Sequence, residues 1–240
     1  MQNSFESEGS RSIPDTFYPV EKLKEFIHMG IVKTYARGSA IILPDDENYM
    51  LIYVLSGRIR VSVITDDGKE KLQYFSGENG IIGARLYRMN NNDSIYAVAT
   101  EKSNVCFFSE EQLRKIFKQE DEIIFEVIKS IISKTHFFSK QNLERDFYNP
   151  ANRILRLLHG LYLTNGISVG DSYEICMNLS LKFISQITGA HYVTVCKVLG
   201  YLKKQNILEK MKDKIIIYDP DKLEELSLDN LIYKRIYKFK

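Results

Sequence analysis

The spacing of apolar residues changes near Ser109, and this change most limits what the chain can fold into. Before Ser109, short runs of β-branched and aromatic residues are separated by turn signals at Ser56-Gly57 and Asp66-Asp67-Gly68. Such runs predict antiparallel strands joined by hairpins. After Ser109, apolar residues recur every three to four positions, which predicts helices. The sequence therefore predicts an α+β fold, with an N-terminal β-roll (jelly roll) followed by helices.

A long helix is predicted from about Glu120 to about Arg145, after a capping-box pattern formed by Ser109 and Gln112. Its apolar residues fall at alternating three- and four-residue steps, a spacing typical of a coiled-coil seam between two copies of the chain. Packing of the helix on its own β-domain is the alternative. The predicted dimer-interface residues are Ile124, Val127, Ile131 and Phe138, and Lys134 shares their stripe.

A lysine on an apolar stripe is costly to bury unless it has a partner. Three interpretations of Lys134 stay open: a polar position that sets the register, a side chain that reaches out to water, or a contact to an anionic ligand between roll and helix. Asn149-Pro150 ends the long helix, and proline is well accepted in the first turn of the next one. The sequence predicts a hinge at this dipeptide.

Residues 179–210 predict a helix-turn-helix. A helical period through Ile184 and Ile187 breaks at Gly189-Ala190 and resumes at Val195. A turn of small residues lets two short helices cross steeply, which places the second helix in a DNA major groove. Residues 210–219 then form two β-prone runs around a charged turn, as expected for a wing. An αα-hairpin in a helical domain is the alternative.

Charge and composition agree with a DNA-binding C-terminal half. Residues 1–149 hold 19 Lys/Arg and 22 Asp/Glu, whereas residues 150–240 hold 14 and 9, so the attraction for phosphate lies in the second part. No apolar run approaches the roughly 20 residues that span a bilayer, and the N-terminus lacks a signal-peptide core. The cysteines lack metal-site spacing and predict a reducing, cytoplasmic location without zinc or an iron–sulfur cluster. They are Cys106, Cys176 and Cys196.

The order of β-roll, long helix and winged helix-turn-helix resembles the CRP/FNR superfamily of bacterial transcription factors. Within it, the motifs DGKEKLQYFSG, YNPANRILRLL and TGAHYVTVCKVL resemble the CprK-type halorespiration regulators. The resemblance implies a cyclic-nucleotide-binding-like roll over 1–118, a dimerisation helix and hinge over 119–148, and a DNA-binding domain over 149–240. It also implies a homodimeric activator that works with RNA polymerase, binds a halogenated phenolic acid, and controls reductive-dehalogenase genes.

The predicted effector is a small aromatic anion. Cyclic AMP is not expected, because Asp93-Ser94 stands where cyclic-nucleotide members carry an Arg-Ser pair that holds phosphate. Tyrosines and arginines suit a planar anion by stacking and charge-assisted hydrogen bonds. By resemblance, Arg85 replaces a shifted lysine, and Ile131 stands where a tyrosine is expected. The predicted effector residues are Tyr74, Gly83, Arg85, Tyr87, Tyr96 and Lys134; each tyrosine alone could be a packing residue, and Gly83 a turn glycine.

The predicted recognition helix starts near His191. Related helices often place a glutamate, which accepts a hydrogen bond from cytosine, where this chain has Val193. A valine packs on a thymine methyl instead, so we expect an A/T-rich inverted repeat of the TTAAT type in double-stranded DNA. Alternatively Val193 faces the first helix, and Lys197 contacts phosphate only. The predicted DNA-contacting residues are Ser180, His191, Tyr192, Val193, Thr194, Lys197 and Lys203.

Other functional classes fit the sequence less well. Four scattered histidines and the lack of a nucleophile–base motif argue against an enzyme. An iron–sulfur sensor of the FNR type would need N-terminal cysteines, and a haem sensor would need a well-placed axial ligand. The expected cofactor is therefore none. A regulator of the same family that responds to a different effector, or binds DNA constitutively, is the main alternative.

Overall fold

The computed structural model describes residues 17–41, 49–64, 68, 70–83, 94–177, 179–229 and 231–238. Their contacts divide into two compact units, one ending at Phe137 and the other beginning at Phe138. The division falls inside the long helix, so the first and last turns of that helix belong to different units. Among the helices described, none is both long enough and apolar enough to cross a membrane.

The first unit confirms the predicted β-roll. A 3-10 helix, Lys22–Met29, precedes two antiparallel sheets with strand orders β1-β7-β2-β5 and β4-β3-β6. Tyr53 and Phe108 of the four-stranded sheet join one buried cluster with Ile116 and Ile123 from the following helices. The strands are β1 (Ile31–Tyr35), β2 (Tyr49–Ser56), β3 (Ile59–Ile64), β4 (Glu70–Ser76), β5 (Ile81–Gly83), β6 (Ser94–Ala99) and β7 (Ser103–Ser109).

One of the two predicted hairpins is wrong. Strands β3 and β4, on either side of the predicted Asp66-Asp67-Gly68 turn, do pair with each other, but Ser56-Gly57 joins β2 and β3, which lie in different sheets. Gly57 has φ +83°, and a Cβ there would lie 2.3 Å from Ser103 Oγ. The turn is therefore held against the start of β7, and glycine is needed for close approach as well as for backbone angle. Turn chemistry alone did not distinguish a hairpin from a crossover between sheets.

Two helices follow the roll, α1 (Glu110–Gln119) and α2 (Glu122–Phe147). The capping box is confirmed: Gln112 N donates to Ser109 Oγ, and Ser109 N donates to Gln112 Oε1 at 2.8 Å. In α2, Ile123, Ser130 and Phe137 are buried. Their spacing of seven residues defines one face of the helix, and Ile123 packs in the core of the roll.

The predicted seam on α2 stays a prediction, and its members differ in exposure. Val127 packs against the core of its own unit, whereas Ile131 is 53% exposed. A second apolar stripe, also exposed, lies one residue later, which is about 100° around a helix. Its residues are Phe125, Ile128 and Ile132, at 58%, 44% and 60% exposure.

The second unit confirms the winged helix-turn-helix. Its sheet has the order β10-β11-β9-β8, and the pairing of Leu208 with Ile217 forms the predicted wing. The elements are α3 (Pro150–Asn165), β8 (Ile167–Val169), β9 (Ser172–Ile175), α4 (Leu181–Thr188), α5 (Tyr192–Lys204), β10 (Leu208–Lys210), β11 (Ile215–Ile217), α6 (Pro220–Leu228) and α7 (Ile232–Lys238).

The start of α3 follows the sequence prediction. Asn149 is the N-cap, and its Oδ1 accepts from Ala151 N at 3.0 Å and Asn152 N at 3.1 Å, while Pro150 occupies the first turn. Asn152 is fully buried, and its Nδ2 donates to Asp229 O at 2.9 Å. A buried amide needs such a partner, so this bond ties α3 to the connection between α6 and α7.

Candidate effector site and nucleic-acid interface

Lys134 turns toward the β-roll of its own unit. Its Nζ donates a 2.5 Å hydrogen bond to Ile81 O, the carbonyl at the start of β5. The ammonium is largely removed from water, and this burial lowers the pKa of Lys134 to about 8. Of the three interpretations, the contact argues against a side chain that reaches out to water. The register-setting position and the contact to an anionic ligand both stay predictions.

Two aromatic rings face this ammonium, and a third packs against one of them. Lys134 Nζ lies 4.9 Å from the ring centroid of Tyr74 and 5.6 Å from that of Phe17. Phe17 makes edge contacts to Tyr74 and Phe137, with centroids 5.7 Å and 5.9 Å apart. Such rings attract a cation through their negative faces. We call Phe17, Tyr74, Lys134 and Phe137 the lysine box.

The sequence did not predict Phe17 and Phe137 as site residues. Phe137 could have been found, because it lies three residues after Lys134 and so on the same side of the helix. No local pattern marks Phe17. Its segment is tied to α2, because Tyr18 N donates to Ser133 Oγ and Lys22 N donates to Glu126 Oε2, each at 3.1 Å.

The remaining predicted effector residues do not all join the lysine box. Tyr96 pairs with Ser62 of β3 and is 41% exposed, whereas Tyr74 pairs with Val61 and is 3% exposed. Tyr96 is thus much more exposed than Tyr74, and its role in the site stays a prediction. Gly83 ends β5, two residues after the carbonyl that Lys134 contacts. Arg85 and Tyr87 lie outside the described residues.

Side chains cap the N-termini of both helices of the helix-turn-helix. Ser180 Oγ accepts from Phe183 N at 3.0 Å at the start of α4, and His191 Nδ1 accepts from Val193 N at 3.3 Å at the start of α5. Between the helices, Gly189 adopts φ +62°, the left-handed conformation that ends a helix. Ser180 and His191 are exposed, so a capping role is added to the predicted DNA contact of each.

The exposed face of α5 holds most of the predicted recognition residues. Tyr192 is 48% exposed and Val193 is 50% exposed, so Val193 does not pack on α4. Lys197 is exposed as well. Two of the predicted residues differ from the others. Thr194 is only 6% exposed because it faces the domain core, and Lys203 is exposed but ion-paired with Glu209. The DNA contact of each stays a prediction.

Arg153 links the residue that follows α2 to the turn between α4 and α5. One terminal nitrogen donates to Tyr148 O and the other to Gly189 O, each at 3.2 Å. Burial lowers the pKa of Arg153, with Arg145 adding repulsion. A guanidinium with fixed donors therefore joins the predicted hinge to the helix-turn-helix turn. Sequence analysis did not single out Arg153.

Comparison with known proteins matches both halves of the chain. The model of the cyclic nucleotide-binding domain matches residues 32–120, and that of the Crp-like helix-turn-helix domain matches residues 152–226. A solved structure of OCPA-complexed CprK is 43% identical, covers 91% of this chain and 99% of its own, and has a TM-score of 0.80. The chain belongs to the CRP/FNR family of transcription regulators.

Other members of the CRP/FNR family show the range of similarity. Oxidized CprK in complex with o-chlorophenolacetic acid is 44% identical over 90% of this chain and 91% of its own, with a TM-score of 0.50. The global nitrogen regulator of Nostoc sp. is 25% identical over 195 residues, 79% of this chain and 86% of the regulator. Within the CRP/FNR family, this chain is therefore close to CprK.

The last helix of this CRP/FNR regulator lies beyond the residues that the family model matches. In α7, Ile232 is fully buried and Ile236 is 3% exposed, and the helix contacts α3 and α5. This helix therefore packs on the helices of the second unit. Neither matched family is an enzyme family, and the described residues contain no group of three His, Cys, Asp or Glu arranged to hold a metal.

Proposed function

We propose that this regulator is a cytoplasmic homodimer switched by a small aromatic anion, most specifically a halogenated phenolic acid, and that it activates reductive-dehalogenase genes together with RNA polymerase. The observation that carries the proposal is the lysine box. A cation that faces two aromatic rings suits a ligand that combines a planar ring with an oxyanion. The similar structure of oxidized CprK is a complex with o-chlorophenolacetic acid, which supports the same chemical class.

The lowered pKa of Lys134 gives this site a physical basis for selecting a halogenated ligand. An ortho halogen lowers the pKa of a phenol, so more of it is phenolate at neutral pH. A phenolate beside Lys134 stabilises the ammonium, whereas a neutral phenol leaves a buried charge without a counter-ion. The halogenated compound should therefore bind more tightly than its dehalogenated product.

Titration calorimetry with an ortho-chlorinated hydroxyphenylacetic acid and its dechlorinated counterpart tests this. We expect the chlorinated acid to bind at least about tenfold more tightly at pH 7, because one unit of pKa corresponds to about 1.4 kcal/mol. Its affinity should fall above pH 8, as Lys134 loses its proton in the free protein. Lys134→Met should remove both the preference and the pH dependence.

Lys129→Met provides the matched control, because Lys129 lies on the same helix but is exposed. It should bind both acids as the wild type does. Full affinity and full halogen preference in Lys134→Met would contradict the proposal. DNA binding that is the same with and without every acid tested would favour the constitutive regulator instead.

The proposed operator is an A/T-rich inverted repeat of the TTAAT type. The support is Val193, which is half exposed on α5 and has no hydrogen-bond acceptor to offer a cytosine. Selection of sites from random duplexes should recover half-sites without an obligatory G·C pair at this position. Val193→Glu should shift selection toward G·C by about 1–3 kcal/mol of discrimination. An invariant G·C pair selected by the wild type would contradict this assignment.

The proposed dimer uses the exposed stripe of α2, Phe125, Ile128 and Ile132. Large apolar side chains at steps of three and four residues are costly to leave in water and suit a helix pair. Light scattering should give the mass of a dimer for the wild type and of a monomer for Ile128→Glu. Val127→Ala should remain dimeric, because Val127 packs in its own unit. The opposite result would restore the seam that the sequence predicted.

A further inference from the structure

Gly200 is an unusual residue for its position in α5. It lies inside the 13-residue recognition helix and is exposed. Glycine inside a helix costs about 1 kcal/mol relative to alanine. A Cβ added there would meet no atom within 4 Å, and its φ is an ordinary helical one. Neither packing nor backbone conformation within the chain requires glycine here.

Three lysines surround this gap on the helix surface. Lys197 precedes Gly200 by three residues, and Lys203 and Lys204 follow it by three and four. Residues at these separations are neighbours on one face of a helix. All three are exposed. The missing side chain at Gly200 therefore leaves a shallow depression on the helix surface, with Lys197 before it and Lys203 and Lys204 after it along the helix axis. We call this depression the notch.

We propose that this notch receives a phosphate of the DNA backbone, and that glycine at position 200 allows the strand to approach the main chain of α5. A DNA phosphate is the matching partner, because Val193, on the same face two turns earlier, is exposed to contact base edges. Phosphate contacts fix the position of a protein on DNA, and base contacts specify sequence. The inference rests on DNA binding by α5.

Two substitutions test the notch. Gly200→Ala should raise the Tm by about 3–6 °C through its higher helix propensity. At the same time it should weaken binding at least about fivefold, equally for a TTAAT inverted-repeat duplex and a mixed-sequence duplex of the same length, at about 50 mM salt. The salt slope of log affinity should fall in magnitude by about one. Gly200→Gln, with a longer side chain, should weaken binding further.

Gly77→Ala is the matched control, because its added Cβ also meets no atom within 4 Å and the position lies in the other unit. It should leave binding to both duplexes unchanged. Gly200→Ala with a raised Tm but unchanged affinity and salt slope would overturn the inference. A lowered Tm would overturn it too, since glycine would then be required by the fold. If the wild type bound neither duplex, both the DNA-binding function and this inference would fail. If the wild type bound DNA and Gly200→Ala bound it equally well, only the inference would fail.

Discussion

The lysine box and the exposed face of α5 are built in opposite ways. The box combines residues 17, 74, 134 and 137, from a loop, a strand and a helix, and its rings are largely buried. The face of α5 is formed within 13 consecutive residues, and Tyr192, Val193 and Lys197 are exposed on it. The residues of the lysine box are therefore also part of the core of their unit, whereas the exposed side chains of α5 contribute little to the stability of the fold. Substitutions in the lysine box should therefore lower stability, whereas substitutions on the exposed face of α5 should weaken DNA binding.

The pKa values of the lysines in the two regions are shifted by different causes. In the box, burial alone lowers the pKa of Lys134 to about 8. On α5, Lys203 is held by Glu209, and this hydrogen bond is the main cause that raises the pKa of the lysine. A buried lysine is thus sensitive to the charge of a ligand, whereas an exposed one stays positive and attracts phosphate regardless of the base sequence.

The largest contrast should come from replacing one tyrosine in each region. Tyr74→Ala removes a ring that is 3% exposed and should lower the free energy of unfolding by about 3–5 kcal/mol. Tyr192→Ala, at an exposed position, should change it by no more than about 0.5 kcal/mol while weakening DNA binding. Urea denaturation and duplex titration measure the two effects. Equal losses of stability would remove the distinction between the regions.

A pH series on Lys134→Met should give the next largest effect. Its pKa in the folded protein, about 8, lies below the unfolded value of 10.5, so the unfolded state binds more protons between these pH values. Wild-type stability should therefore rise relative to Lys134→Met by about 3 kcal/mol from pH 8 to 10.5. Below pH 8 the difference should be constant.

The same pH series on Lys129→Met serves as reference, since that side chain is exposed. Lys129→Met keeps Lys134, so its stability should change with pH as that of the wild type does. The difference in stability between the two proteins should therefore not depend on pH. A flat curve for Lys134→Met as well would mean that Lys134 is not buried in solution.

The smallest effect should separate the two roles of Ser180. Ser180→Ala removes the N-cap of α4 and should cost about 1 kcal/mol of stability. Ser180→Asp keeps a capping oxygen but adds a negative charge, so stability should be retained while DNA affinity falls. Thermal melting and fluorescence anisotropy distinguish the outcomes. Unchanged affinity in Ser180→Asp would assign Ser180 to capping alone.

Local signals in the sequence predicted the elements that depend on local interactions. The capping box of Ser109 and Gln112, the cap at Asn149 and the turn at Gly189 each involve residues within a few positions of one another. Periodicity likewise predicted α2, and the exposed face of α5 holds most of the predicted residues. On α2, two neighbouring apolar stripes are exposed in part, because a helix with more than one apolar face fits more than one heptad assignment.

By itself, the sequence determined the α+β order and the winged helix-turn-helix, and it singled out Lys134 as an unusual residue on an apolar stripe, since each follows from spacing along the chain or from resemblance to a family. Only the tertiary structure decided that Ser56-Gly57 crosses between sheets, that Thr194 is buried, and that Phe17 lies beside Lys134. These facts depend on which distant segments pack together. Such contacts arise from burial of surface across the whole unit, and no local pattern encodes them.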